Sequence, residues 1–92
     1  MDASERQVLS NLNEMVAKAN SLSIDTKEAK AQFSLLSNNI EKIYAKLEPG
    51  MRSRVKGYNE YSAKASQVSG DVSILYDGSY RYYETASESW EY

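Results

Sequence analysis

The chain has no cysteine and no histidine in 92 residues. That double absence excludes a disulfide framework, thiolate metal ligation, most transition-metal sites and the usual nucleophile–base pairs, so catalysis and a metal or other cofactor are not expected. Glycine is sparse and scattered singly at Gly50, Gly57, Gly70 and Gly78, which leaves no glycine-rich loop to cradle a phosphate. Proline, phenylalanine and tryptophan occur once each. No apolar run approaches the roughly 20 residues that span a bilayer, and the opening Met-Asp-Ala-Ser-Glu-Arg lacks the basic start and apolar core of a cleaved signal peptide. An excess of charge of one sign is missing too. The net charge is -2, with seven acids against six bases over 1–50, four bases against two acids over 51–75, and four acids against one base over 76–92. The second arm is thus basic and the tail acidic.

What is present is apolar periodicity. Ala29, Phe33, Leu36, Ile40, Ile43 and Leu47 recur at alternating spacings of four and three, which lines them along one side of a helix. Met51, Val55, Tyr58, Ser62, Ala65, Ser69 and Val72 repeat the pattern, with Tyr61, Val68 and Leu75 thickening it. Between the runs lie Pro49 and Gly50, one lacking the amide that would continue a helix and the other accepting a positive φ. The fold class expected is therefore all-α: an antiparallel helical hairpin turning at 48–50.

An earlier run, Val8, Leu12, Met15, Ala19 and Leu22, shares the phase of the 29–47 stripe, as one continuous helix from about 4 to 48 would require. Such a helix would extend about 67 Å and leave apolar surface that only a second hairpin could cover. Against continuity, Asp25 followed by Glu28 has the spacing of a helix start, which would split the first arm in two and give a three-helix bundle. The phase argument favours the single helix. Leu36, Ile40 and Ile43 are the central core positions in either case.

The C-terminal stretch Tyr76-Asp77-Gly78-Ser79-Tyr80 contains a two-residue turn signal. A loop of only Asp77 and Gly78 would set Ile74 opposite Arg81, matching apolar against polar, so the sequence favours a helical continuation with the stripe Val72, Tyr76, Tyr80, Tyr83, Ser87 and Trp90. Residues 1–79 then form the hairpin or bundle and 80–92 a Tyr-rich acidic tail. Tyr76, Tyr80, Tyr82, Tyr83, Glu84, Trp90 and Tyr92 are the candidate partner-binding residues, because aromatic side chains offer large contact area with few rotors to freeze.

Two other clusters are weaker candidates. Glu14, Glu28, Glu41, Glu60 and Glu88 fall between apolar positions, where a solvated helix face is the expected role. Lys46, Arg52, Arg54 and Lys56 flank the turn, but four cations on a chain of net negative charge give little counterion-release affinity, so nucleic acid is disfavoured as a partner.

About ninety residues arranged as a hairpin, turning near the middle and ending in an aromatic–acidic segment, resemble the WXG superfamily of small type VII secretion substrates. Where that family carries Trp-x-Gly at the turn, this chain has Glu48-Pro49-Gly50, keeping the glycine and lacking the tryptophan. Where the family carries Tyr with an acid four residues on, this chain has Tyr80 and Glu84; Tyr44 and Glu48 show the same spacing elsewhere. The resemblance implies pairing with another helical hairpin into a homo- or hetero-oligomer, and secretion without a cleaved signal peptide. The competing reading from the residues alone is a small phage- or plasmid-type inhibitor or adaptor, cytoplasmic, that folds by itself and occludes a partner protein through its Tyr-rich end. Both are protein–protein interaction modules and neither is an enzyme.

Overall fold

The computed structural model describes residues 2–69 and the backbone of 72–74, 80–84 and 89–91. Up to Ser69 every regular element is helical: α1 Ala3–Ser21, α2 Lys27–Tyr44, a single turn α3 Pro49–Arg52, and α4 Tyr58–Val68. Three strands follow, β1 Val72–Ile74, β2 Tyr80–Glu84 and β3 Ser89–Glu91, in an antiparallel sheet of order β1-β2-β3. No helix among the described residues is long and apolar enough to cross a membrane.

The first arm is two helices, contrary to the single helix that the shared phase favoured. Asp2 caps α1 by accepting the Glu5 amide at 2.8 Å. At its other end Leu22 turns to extended backbone, and the Lys64 ammonium reaches across from α4 to the carbonyls of Asn20 and Leu22. A cation at a helix C-terminus supplies donors to carbonyls that have lost their helical partners. The restart is capped by Thr26, whose hydroxyl accepts the Ala29 amide at 3.0 Å, one residue beyond the Asp25 start that the acid spacing indicated. The stripe keeps its phase across the break through the length of the linker between Ser21 and Lys27, and Leu22 and Ile24 at the corner pack against the core.

The reversal after α2 is longer than a turn at 48–50. Pro49 opens α3 at its N-terminus, where a missing amide costs nothing, and Glu48 before it is extended, as a residue preceding proline tends to be. Arg52 folds back to donate to the carbonyls of Tyr44, at 3.3 Å, and Ala45, at 3.1 Å, closing the end of α2. Positive φ falls at Gly57, at 74°, immediately before α4, and not at Gly50.

The core is Leu12, Val16 and Ala19 of α1, Phe33 and Ile40 of α2, Leu47, Val55, and Tyr61 and Val68 of α4, with Leu36 and Ile43 partly buried against it. The 29–47 stripe lies on the expected side. On α4 the seam is rotated from the expected one: Tyr61 and Val68 are buried while Ser62 and Ser69 are exposed, because hydroxyl side chains at those positions face water when a neighbouring ring or branched side chain can fill the space. Ala31 is buried although it lies roughly opposite Phe33 on α2 and outside this core. β1 and β2 lie against α2, so that helix is covered on two sides.

The strands correct the expectation of a helical tail. Ile74 pairs with Tyr80, Ser73 with Arg81 and Val72 with Tyr82. This register is one residue off that of a two-residue loop at 77 and 78, so it moves every β2 residue by one position relative to β1. A shift of one reverses which residues share a face, so the apolar-against-polar mismatch disappears.

Candidate functional site

Two aromatic groups are present, one inside the helical body and one in the sheet. In the body, α2 and α4 face each other with Glu41 and Tyr44 one turn apart on the first, and Tyr58 and Tyr61 one turn apart on the second. Tyr58 donates to both Glu41 carboxylate oxygens, at 2.9 and 3.2 Å, and Tyr61 donates to Oε1 at 2.9 Å. Ser37 Oγ lies 2.7 Å from the Tyr61 hydroxyl, completing its hydrogen bonding. The rings are layered: Tyr44 stacks on Tyr58 with centroids 4.0 Å apart and planes 6° from parallel, and Phe33 stacks on Tyr61 at 5.7 Å. The Arg52 guanidinium sits 5.4 Å over the Tyr44 ring, a favourable placement against the ring's negative face.

Burial, reinforced by hydrogen bonding to Glu41 and its negative charge, holds the Tyr58 phenol well above its ordinary value of 10. Tyr61 is pushed up to about 12, first by burial and then by Glu41, with the Ser37 hydrogen bond acting in the opposite direction. Both phenols are therefore neutral donors through the whole physiological range. This arrangement ties two helices together and keeps its hydroxyls occupied. Among the described residues no group of three or more carboxylates is placed to hold a metal ion.

Apolar spacing alone does not single out this cluster. Glu41 is exposed, as a residue of a solvated face should be, yet it accepts from two phenols. Its signal in the sequence is two i, i+3 pairs, Glu41 with Tyr44 and Tyr58 with Tyr61, on antiparallel arms. Arg52, grouped with the cations of the turn, is engaged with backbone carbonyls of α2.

The second group is the set singled out in the sequence. Tyr80, Tyr82, Tyr83 and Glu84 lie on β2 and Trp90 on β3; Tyr76 and Tyr92 lie outside the described residues. The register pairs Tyr83 with Trp90, Tyr82 with Glu91, and Glu84 with Ser89. Since successive residues of a strand alternate between faces, Tyr80, Tyr82, Glu84 and Glu91 share one face of the sheet with Val72 and Ile74, while Arg81, Tyr83 and Trp90 share the other. Tyr80 and Glu84 are on one face but separated along the strand by about 13 Å, where a helix would have set them one turn apart.

Comparison with family models, with characterised proteins and with solved structures finds no match to this chain.

Proposed function

We propose that this chain is a non-catalytic protein-interaction module whose C-terminal sheet is the recognition surface, in the manner of a small inhibitor or adaptor. The observation that carries the reading is the β2–β3 register, which pairs Tyr83 with Trp90 within a stretch of acidic composition: residues 76–92 hold four acids and one base. Cross-strand aromatic pairs are the sheet equivalent of a contact anchor, and tyrosine and tryptophan are enriched among residues that dominate binding energy. The partner that fits is a protein presenting apolar surface within a basic rim. Support for a self-contained binder also comes from the helices, because the stripe of α2 is closed by α1 and α4 of the same chain through Phe33, Ile40, Leu12, Val16 and Tyr61.

Photo-crosslinkers placed at Tyr83 or Trp90 should form a discrete adduct with one protein in the native host, and a crosslinker at exposed Asn38 on α2 should not. Adducts from Asn38 alone would remove the sheet from the argument. The secretion reading makes a separable claim: Tyr80→Ala and Glu84→Ala each abolish export with the melting temperature unchanged, and pairing occurs with another helical hairpin. Export of both variants at the wild-type level would leave the inhibitor or adaptor reading standing alone.

A further inference from the structure

Tyr44 and Tyr58 lie closer together than aromatic pairs usually do. Their centroids are 4.0 Å apart with the planes 6° from parallel, whereas the common range for such pairs is about 4.5–7 Å. Tyr61, the other ring beside Tyr58, stands 5.3 Å away, is tilted by 52° and is fully buried. Tyr44 and Tyr58 are only half-buried, so a small oxidant can reach them from solvent. The Tyr58 hydroxyl meanwhile holds its proton against a base, the Glu41 carboxylate, at 2.9 and 3.2 Å. The chain has no cysteine to be oxidised in place of its phenols.

We propose that Tyr44 and Tyr58 form an oxidative cross-linking site, at which a one-electron oxidant, a high-valent metal complex or an oxidising radical, joins the two rings as dityrosine. Removing an electron from a neutral phenol releases its proton, and Tyr58 stays a neutral phenol because burial and Glu41 raise its pKa. Glu41 takes that proton along the existing hydrogen bond, acting as a positioned base. A second oxidant equivalent removes one electron from Tyr44, whose proton passes to water. The two phenoxyl radicals, already face to face, then join their unpaired electrons in one carbon–carbon bond between ring carbons ortho to the oxygens. The hydrogens on those carbons pass to the oxygens as the rings regain aromaticity. In sum two electrons go to the oxidant, two protons go to Glu41 and water, and the protein becomes lighter by two hydrogens. The product ties the last residue of α2 to the first of α4 across the 45–57 segment. Closing that segment restricts the unfolded chain as a disulfide would, and no thiol reverses it. The sheet takes no part, so this site stands or falls separately from recognition by Tyr83 and Trp90.

Photo-oxidation of the full chain at low micromolar concentration, with ruthenium tris-bipyridine and persulfate, tests this. The wild type should gain dityrosine emission, and trypsin should then release residues 43–46 joined to 57–64 at two hydrogens below their summed mass. The cross-linked protein should melt at a higher temperature than the untreated one. Tyr44→Phe and Tyr58→Phe each keep a ring in the stack and should lose the joined peptide, whereas Tyr61→Phe should retain it. Glu41→Gln keeps an acceptor oxygen but is no base at neutral pH, and should slow formation of the joined peptide by about tenfold or more. In denaturing urea the same treatment should scatter coupling over the eight tyrosines. A joined peptide that ends on Tyr61, coupling confined to tyrosines beyond Val68, a rate indifferent to Glu41→Gln, or no dityrosine from the folded chain would each overturn the proposal.

Discussion

α4 touches α1 and α2 in different chemical languages. Toward α2 it uses side chains on side chains: Tyr61 against Phe33, Tyr58 against Tyr44, and two phenols on one carboxylate. Toward α1 it is held by side chains on main chain. Asn13 accepts the Lys56 amide at 2.9 Å, Asn20 donates to the Gly57 carbonyl at 3.0 Å, and Lys64 donates to the carbonyls of Asn20 and Leu22. The asparagines are seven residues apart, two turns of α1, and both address the segment that leads into α4. Packing of the first kind supplies most of the energy, since buried rings remove large apolar areas from water. Bonding of the second kind fixes where α4 begins, because it engages backbone groups that every sequence possesses.

The largest expected effect breaks the aromatic contact. Phe33→Ala removes a fully buried ring from the stack with Tyr61, and should cost about 3–5 kcal/mol in urea denaturation, close to the whole stability of so small a domain. A loss under about 1 kcal/mol would show that the α2–α4 contact is not the main one.

The main-chain contact comes next. Gly57 has φ of 74°, and a Cβ there would stand 2.8 Å from the Asn20 amide nitrogen. Gly57→Ala should cost roughly 1–3 kcal/mol by combining left-handed strain with the clash. Asn20→Ala alone should cost about 1 kcal/mol by removing one hydrogen bond. In the Asn20→Ala background the Gly57→Ala penalty should shrink, because the clash partner is gone; equal penalties in the two backgrounds would mean that the asparagine does not clamp the loop.

The smallest effect is one of pH. The Tyr61 phenol ionises near 10 in the unfolded chain and at about 12 in the folded one. The folded state therefore favours the protonated form, and its contribution is complete below pH 10 and lost as pH rises from 10 through 12. Lysines lose charge in the same range, so the useful comparison is with Tyr61→Phe, whose melting temperature should fall less steeply across that window. Parallel slopes would remove the phenol from the alkaline transition.

How much of this was legible follows from the same division. Apolar spacing located Phe33, Leu36, Ile40, Ile43 and Leu47 on one side of α2 because the 3.6-residue period is imposed by the helix itself. It could not locate the break at 22–26, since a linker of this length leaves the phase of the stripe unchanged, nor the Lys64 bonds that make the break tolerable. The sheet was missed for a related reason. Its register depends on where the chain reverses between the strands, and the pairing of Ile74 with Tyr80 is one residue off the register that a loop of Asp77 and Gly78 alone would set. The candidate residues on β2 and β3 were selected by composition, which carries no register. Which of them share a face became readable only from the pairing of Ile74 with Tyr80 and Tyr83 with Trp90.

Trp90 is the only tryptophan of the chain and lies on β3, whereas the helical elements among the described residues all precede Ser69. Nature has thus placed in the strand region the one fluorophore that red-edge excitation selects over the eight tyrosines, and nearly all of the far-ultraviolet dichroic signal of the described residues in the helices. A single unlabelled sample, melted while emission and ellipticity are followed together, reports on the two regions through separate optical channels. Because β1 and β2 lie against α2, the two curves should superimpose, and a fluorescence transition that precedes the dichroic one would reveal a sheet that detaches while the helices stay folded.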